Sequence, residues 1–271
     1  MKQSTYSILD DQEVLLNEKI FDDQNNLVHS IDYSLRPKEE KKFTYNDKNQ
    51  LILEESLVEG RVGDSQEFEY GSDGKVVEQR HNINGDLYEK TSVEKSDNIE
   101  KRTTIQDGEE TQRIELEING EVKTYRFFDY QQLAQVNTVT KEGNTITTKS
   151  ELPGQDQIYT EVQVLNENGG LIESSEFVGE GNKVSSFKQE FEGENRMKSV
   201  FENLSQPHTS YEEVFTFDEN GNRTVYEKMD MGGRLMRFEK VRYNEQNKPI
   251  EIAGNDGTSK FHHRIDYDHS I

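Results

Sequence analysis

The sequence of 271 residues contains no cysteine, no tryptophan and only four prolines. Without cysteine, a disulfide framework, a thiolate nucleophile and a Cys-ligated zinc site are all excluded. No run of about 18 apolar residues occurs, so no segment is typical of a transmembrane helix and we expect no membrane insertion. Alanine, the best helix former, appears only as Ala134 and Ala253, which argues against long helices.

Basic residues are also scarce relative to acidic ones. The chain has 32 Lys and Arg against 54 Asp and Glu, a formal net charge of −22. Nucleic-acid binding depends on neutralising phosphates with Lys and Arg, so nucleic acid is not expected as a partner. Val, Ile, Leu and Phe account for 63 of the 271 residues, just above the proportion of about 20% below which a highly charged chain usually stays disordered.

A repeat of about 25 residues runs through the chain. Each copy begins with two apolar residues separated by one residue, and a polar turn follows. Another apolar residue, here called the restart position, comes six residues after the second member of the pair. That second residue, here called the anchor, recurs every 23 to 26 residues, at Phe21, Tyr45, Tyr70, Val93, Leu116, Thr140, Leu165, Phe191, Phe217, Tyr243 and Tyr267. The Asn, Asp and Gly that follow tolerate the positive φ angles of tight hairpin turns.

The repeat predicts the fold class. Each period reads as strand, turn, strand, turn, so the chain should be all-β: a long antiparallel meander of about 22 short strands. We interpret residues 1–271 as a single β-hairpin repeat domain, with the clearest repeats at 19–94 and 160–271. Open twisted sheets rarely exceed about ten strands without curling. The expected architecture is therefore either a rolled shell or spiral, or an elongated single-layer sheet.

The repeat residues resemble the YD-repeat (RHS-repeat) family, and are also similar to the MORN-like β-hairpin repeats of some antitoxin-type proteins. The resemblance extends from about residue 19 to residue 267 and weakens in the middle. The Tyr-Asp dipeptide that names the family appears as Tyr45-Asn46, Phe217-Asp218, Tyr243-Asn244 and Tyr267-Asp268. The resemblance implies strand-rich shells or platforms that wrap or present something, and it implies no chemistry.

One segment departs from the repeat. Tyr125, Phe127, Phe128 and Tyr130 place four aromatic residues within six positions, around a predicted turn where other repeats have Gly and polar residues. Strand alternation puts Tyr125 and Phe127 on one face and the other two on the opposite face. Exposed aromatics are typical of protein interfaces, so these four are the candidate partner-binding residues. The alternative is packing within a sheet that is short of apolar residues.

Metal, cofactor and catalytic residues are not predicted. The densest group of possible metal ligands is His262, His263, Asp266, Asp268 and His269. On a strand, His263 and His269 would lie about 20 Å apart. The acidic turn at Asp218 has neither Gly at loop position 6 nor Glu at position 12, both of which an EF-hand loop requires, and no nucleophile or phosphate-binding motif occurs. A glycosidase-type carboxylate pair has no usable signal among 54 acidic residues.

These observations favour a non-enzymatic protein-binding repeat protein. We expect a basic protein partner and an immunity or antitoxin-like role, or an adaptor role in a bacterial secretion or phage-like apparatus. The alternative is a structural shell, a spacer or a carbohydrate-contacting cell-surface repeat protein. The first residues lack the apolar core of a secretory signal, so a cytoplasmic location is expected, with export left open.

Overall fold

The computed structural model of the protein describes residues 1–9 and 12–268, which form strands joined by short connections. The first eleven strands are β1 (Lys2–Leu9), β2 (Gln12–Phe21), β3 (Leu27–Asp32), β4 (Glu39–Tyr45), β5 (Leu51–Val58), β6 (Arg61–Tyr70), β7 (Val76–Ile83), β8 (Asp86–Ser96), β9 (Ile99–Gln106), β10 (Glu109–Asn119) and β11 (Val122–Asp129). The next eleven are β12 (Gln132–Glu142), β13 (Thr145–Glu151), β14 (Ile158–Leu165), β15 (Leu171–Val178), β16 (Asn182–Glu192), β17 (Asn195–Asn203), β18 (Tyr211–Phe217), β19 (Arg223–Asp230), β20 (Leu235–Tyr243), β21 (Pro249–Asn255) and β22 (Lys260–Asp268).

A single turn of 3-10 helix, Pro207–Thr209, interrupts the strands. In the part of the chain that the structure covers, no helix has the length and apolar character needed to cross a membrane.

The predicted all-β meander is confirmed: the described residues form 22 strands, with antiparallel pairing between neighbours in sequence. Each of the eleven anchors lies in an even-numbered strand, within its last few residues. The restart positions fall within two residues of the first residue of the odd-numbered strands, and Leu51 in β5 and Val76 in β7 are themselves the first residues. The sequence period is therefore one β-hairpin.

Three tyrosine anchors each connect their repeat to the one before it. The Tyr45 hydroxyl donates to the carbonyl oxygen of Leu27 at 3.0 Å, and Tyr70 donates in the same way to Leu51 at 2.7 Å. Tyr243 repeats the contact with the Arg223 carbonyl at 2.9 Å. An aromatic residue with a hydroxyl thus packs its ring on the sheet and also uses its polar end.

The residue after the anchor shapes the turn. Asn46 Oδ1 accepts the backbone N–H groups of Lys48 and Gln50 at 2.9 and 3.0 Å. Asp22, Asn166, Asp218 and Asn244 accept the equivalent pair in their own turns. This side-chain-to-backbone turn is why Asn or Asp recurs at that position.

The strand register shifts by one residue immediately before several anchors. Such β-bulges precede Phe21, Tyr45, Tyr70, Leu165, Phe217 and Tyr243. A bulge bends its strand and increases the local twist. Each repeat with such a bulge therefore adds local twist to the sheet as well as a turn.

The first and last strands pair with each other, which closes the sheet. β1 pairs with β2 on one side and with β22 on the other, from Lys2↔Asp268 to Ser7↔His263. Of the expected architectures, the spiral and the elongated single-layer sheet are therefore wrong, and the rolled shell takes the form of a closed β-barrel. An open sheet would leave two rows of unpaired backbone groups, and closure pairs them.

Contacts divide the chain into two compact units. The first comprises the described residues of Met1–Glu115, Phe128–Gln132 and His263–Ile271, and the second comprises Leu116–Phe127 and Leu133–His262. The interpretation of residues 1–271 as one repeat domain stays a prediction.

Each unit buries few apolar side chains. Leu57 and Ile265 are 4% and 7% exposed in the first unit, and Phe215 and Val241 are 4% and 7% exposed in the second. Serines are buried as well, including Ser199, which is fully buried. A small residue between long neighbours on a sheet loses its solvent exposure without a thick apolar core, which fits the low hydrophobic content of the sequence.

Candidate functional site

The most acidic stretch of the second unit spans residues 145–194, from β13 through β16, and is here called the acidic segment. It holds ten acidic and three basic residues and no arginine, a formal charge of −7. Among the described residues, the only Lys or Arg within 4 Å of its carboxylates is Lys188, 3.9 Å from Glu173. Its negative charge is therefore almost entirely uncompensated by the sheet itself.

An open depression crosses this segment and is here called the Tyr159 groove. It has a volume of about 430 Å³, within the range of about 300–1,000 Å³ typical of small-ligand sites. Its polar lining includes Asn137, Thr148, Ser150, Glu161 and Glu176. Its apolar lining includes Tyr159, Val178 and Val184.

The register of the strands explains why these side chains meet. Tyr159 and Glu161 are two residues apart on β14 and so share one face. Tyr159 lies opposite Val178, and Glu161 lies directly opposite Glu176 on β15. On the other side, the same two residues face Ser150 and Thr148 of β13. The groove is thus a row of cross-strand neighbours on regular strands.

Hydrogen bonds from two neutral side chains hold the facing carboxylates. Gln163 Nε2 donates to Glu161 Oε1 at 2.8 Å, and Ser185 Oγ donates to Glu176 Oε2 at 2.6 Å. Like charges directly opposite on a sheet repel each other. A cation between them would relieve that repulsion, and the second oxygen of each carboxylate can accept from it.

The predicted partner-binding aromatics do not form one surface. Tyr125 and Phe127 lie on one face of β11, with ring centroids 6.4 Å apart and nearly parallel planes. Phe128 falls on the opposite face of the strand, as alternation requires. The Arg113 guanidinium lies 3.9 Å from its ring centroid, so that face of Phe128 is covered by the sheet.

Tyr130 is the exposed member of the predicted set. It is 63% exposed and forms the turn after β11, with φ of 43° at Tyr130 and 66° at Gln131. Positive φ angles at both central residues are typical of the two-residue hairpin turn. Three of the four aromatics therefore lie in a strand, and partner binding by Tyr125, Phe127, Phe128 and Tyr130 stays a prediction.

Side chains of the histidine-rich end of the chain pair with their neighbours, both across strands and within β22. His262 Nε2 lies 2.7 Å from Glu251 Oε1, and Asp266 accepts from Arg264 at 2.8 Å. His269 lies outside the described residues. Within residues 1–9 and 12–268, no group of three or more His, Asp or Glu side chains converges as a metal site requires.

The acidic turn at Asp218 is held by hydrogen bonds from its own chain. The Asn222 side chain and the backbone N–H groups of Asn222 and Asn220 donate to the Asp218 carboxylate, and they hold its pKa below the ordinary value. Turn formation accounts for this aspartate.

A partly buried polar network lies further along the same unit. Glu213 accepts from the Ser199 hydroxyl and from the Tyr226 hydroxyl, both at 2.8 Å. Burial, and then the hydrogen bond to Glu213, raise the pKa of Tyr226 far above its ordinary range. Lys228 Nζ lies 3.4 Å from the Tyr211 ring centroid nearby. In this part of the sheet, these charged side chains therefore have partners within the protein itself.

Sequence reasoning did not single out Tyr159, Glu161 or Glu176. The available signal was local: three basic residues among ten acidic ones in the acidic segment. The total of 54 acidic residues concealed it, because pairing across strands decides which carboxylates are left without a cation.

No known protein family matches the sequence, and no curated protein matches it. Among solved structures, a porin-like protein from Bacteroides uniformis is 8% identical with a TM-score of 0.36, over 98% of this chain and 96% of that one. TcdB2-TccC3 without its hypervariable C-terminal region is 11% identical with a TM-score of 0.37, over 95% of this chain and 19% of that one. At these scores neither similarity carries an argument about fold or function.

Proposed function

We propose that this chain is a non-enzymatic repeat protein that binds a basic protein, as an immunity or antitoxin-like partner or as an adaptor of a bacterial secretion or phage-like apparatus. The observation that supports it best is the acidic segment, which holds ten carboxylates and only three basic residues. A surface of one sign attracts a partner of the opposite sign and accelerates its association. The missing nucleophile and phosphate motifs support a role without chemistry.

The proposal is tested by identifying what the chain binds and by the salt dependence of that binding. The full chain is used to isolate partners from the native organism, and each candidate is then purified and titrated by calorimetry. We expect a partner with a net positive charge, whose Kd increases by about tenfold or more from 0.05 to 0.5 M NaCl, because exposed charges are screened.

Two outcomes would contradict the proposal. One is a partner whose affinity does not change with salt, and the other is the isolation of neutral or acidic partners alone. Binding of an oligosaccharide with no protein partner would favour the carbohydrate-contacting alternative.

A further inference from the structure

We propose that the Tyr159 groove binds an arginine side chain presented by the basic partner. This inference rests on the proposed function and names the residues that would make the contact. It comes from a combination that the protein uses elsewhere: one aromatic ring, two carboxylates and one guanidinium.

The clearest internal example surrounds Arg113 in the first unit. Its guanidinium lies 3.9 Å from the centroid of the Phe128 ring. The same guanidinium reaches Glu110 at 2.8 Å and Glu115 at 3.0 Å. Arginine suits this position because its flat group stacks on an aromatic face while its edge donates to carboxylates.

A second example lies where β1 meets β22. The Arg264 guanidinium lies 4.8 Å from the Tyr6 ring centroid. It pairs with Asp266 at 2.8 Å and also with Glu13. Again one ring and two carboxylates surround a single guanidinium, here on different strands and with a different aromatic residue.

The Tyr159 groove has the ring and the carboxylates without the cation. Tyr159 is 40% exposed, and Glu161 and Glu176 face each other beside it. Among the described residues, neither glutamate has a Lys, Arg or His nitrogen within 4 Å, whereas the aspartate and glutamates around Arg113 and Arg264 do. The third component must therefore come from another molecule.

Shape and chemistry favour arginine over a bare ion or a lysine. The groove has a volume of about 430 Å³ and an apolar wall at Val178 and Val184, which suits the aliphatic part of a long side chain. The five N–H donors of a guanidinium can reach both carboxylates at once. The hydrogen bonds that the two carboxylates accept from Gln163 and Ser185 restrict the positions of the carboxylates before a ligand binds.

The test uses the full chain labelled with ¹⁵N and three probes: N-acetyl-arginine amide, N-acetyl-lysine amide and N-acetyl-citrulline amide. Citrulline has the shape of arginine and no charge. We expect arginine amide to shift the amide signals of β12 to β16 in a saturable way. Lysine amide should bind more weakly, and citrulline amide should leave those signals unchanged.

Matched variants locate the contact. Glu161→Gln combined with Glu176→Gln should weaken arginine amide binding by about tenfold, since two charge-assisted hydrogen bonds are lost. Glu167→Gln combined with Glu180→Gln removes the same charge from turns of the acidic segment and should change the affinity by less than about twofold. Tyr159→Leu should weaken binding by about two- to fivefold. Circular dichroism of each variant verifies folding.

Three outcomes would overturn the inference. Citrulline amide could bind as well as arginine amide, which would indicate a neutral polar ligand such as a sugar; the two double variants could weaken binding equally; or the signal changes could fall outside β12 to β16, the strands that line the groove. The two proposals fail separately. A basic partner unaffected by Glu161→Gln with Glu176→Gln overturns the groove alone. Arginine binding in the groove without any basic partner overturns the proposed function alone.

Discussion

Two neighbouring stretches of the second unit carry the same number of acidic residues and differ in how those charges are balanced. The acidic segment, residues 145–194, has ten acidic and three basic residues, whereas residues 195–255, here called the balanced segment, have ten acidic and nine basic residues. Both stretches are built from the same kind of hairpin repeat. The difference therefore lies in the side chains that face each other across the strands.

The balanced segment places its cations on its own carboxylates and rings. Lys198 pairs with Glu212 at 2.8 Å and Arg242 with Glu251 at 2.7 Å, while Arg196 lies 4.3 Å from the Phe215 ring centroid. The acidic segment has one such pair, at 3.9 Å. Total net charge is thus a poor guide to a binding surface, and local imbalance is a better one.

The largest effect that separates the two segments should come from their phenylalanines. Phe215 in the balanced segment is 4% exposed and Phe191 in the acidic segment is 37% exposed. Phe215→Ala should lower the free energy of unfolding by about 3–5 kcal/mol, because it removes a buried ring and leaves a cavity. Phe191→Ala should cost less than about 1 kcal/mol. Urea unfolding followed by circular dichroism measures both, and equal losses would contradict the comparison.

The next effect concerns one glutamate from each segment. Glu213→Gln should lower the free energy of unfolding by about 1–3 kcal/mol, since the carboxylate accepts from the fully buried Ser199 and from Tyr226. Glu161→Gln should be neutral or stabilising by up to about 1 kcal/mol, because it removes repulsion from Glu176. Thermal unfolding of both variants at low salt is the measurement. A destabilised Glu161→Gln would show that its charge is used by the sheet.

Salt should distinguish the segments more weakly. Raising ionic strength from about 0.01 to 0.15 M shortens the Debye length from about 30 Å to about 8 Å. Repulsion should decrease in the acidic segment, so the amides of β15 should exchange more slowly with solvent. The amides of β19 should change less, since attractive and repulsive pairs there are both screened. Hydrogen exchange with mass spectrometry compares the two strands, and a uniform change would argue against local imbalance.

The smallest effect is a pH dependence of turns in the balanced segment. Hydrogen bonds from Asn222 lower the pKa of Asp218, and those from the backbone of Arg234 lower the pKa of Asp230, both below the ordinary value of 3.8. A folded-state pKa below the unfolded one means that the stabilisation is present above the ordinary value and lost as pH falls through the folded pKa. Carboxyl ¹³C titration should place both below 3.8.

The matched variant for that titration is Asp218→Asn, which keeps the acceptor oxygen and removes the ionisable group. Its turn signals should stay constant over the acidic range in which those of the wild-type turn change. Titration of Asp218 at or above its ordinary value would contradict the stated role of its hydrogen bonds.

The local parts of the fold could be predicted because they depend on residues close in sequence. Tyr45 followed by Asn46 indicates a strand end and a turn, because the side-chain oxygen of Asn46 accepts hydrogen bonds from backbone N–H groups only two and four residues away. Spacing between anchors then gives the number of strands. Closure could not be predicted in this way, because it depends on residues 2–7 meeting residues 263–268.

The candidate site was harder to predict from the sequence for the same reason. The density of aromatic residues drew attention to Phe128, but the residue that covers its ring, Arg113, comes from the preceding strand. Glu161 and Glu176 are 15 positions apart and face each other only through the register of β14 and β15. A sequence pattern reports what a strand contains, and the register decides which charges are left without a partner.

The antiparallel contact between β1 and β22 follows from arithmetic. In an up-and-down meander, the first and last strands run in opposite directions only when the number of strands is even. A hairpin repeat always adds strands in twos. Insertion or deletion of a whole copy would therefore preserve the sense of the closing pair, whereas the gain or loss of one strand would force a parallel seam.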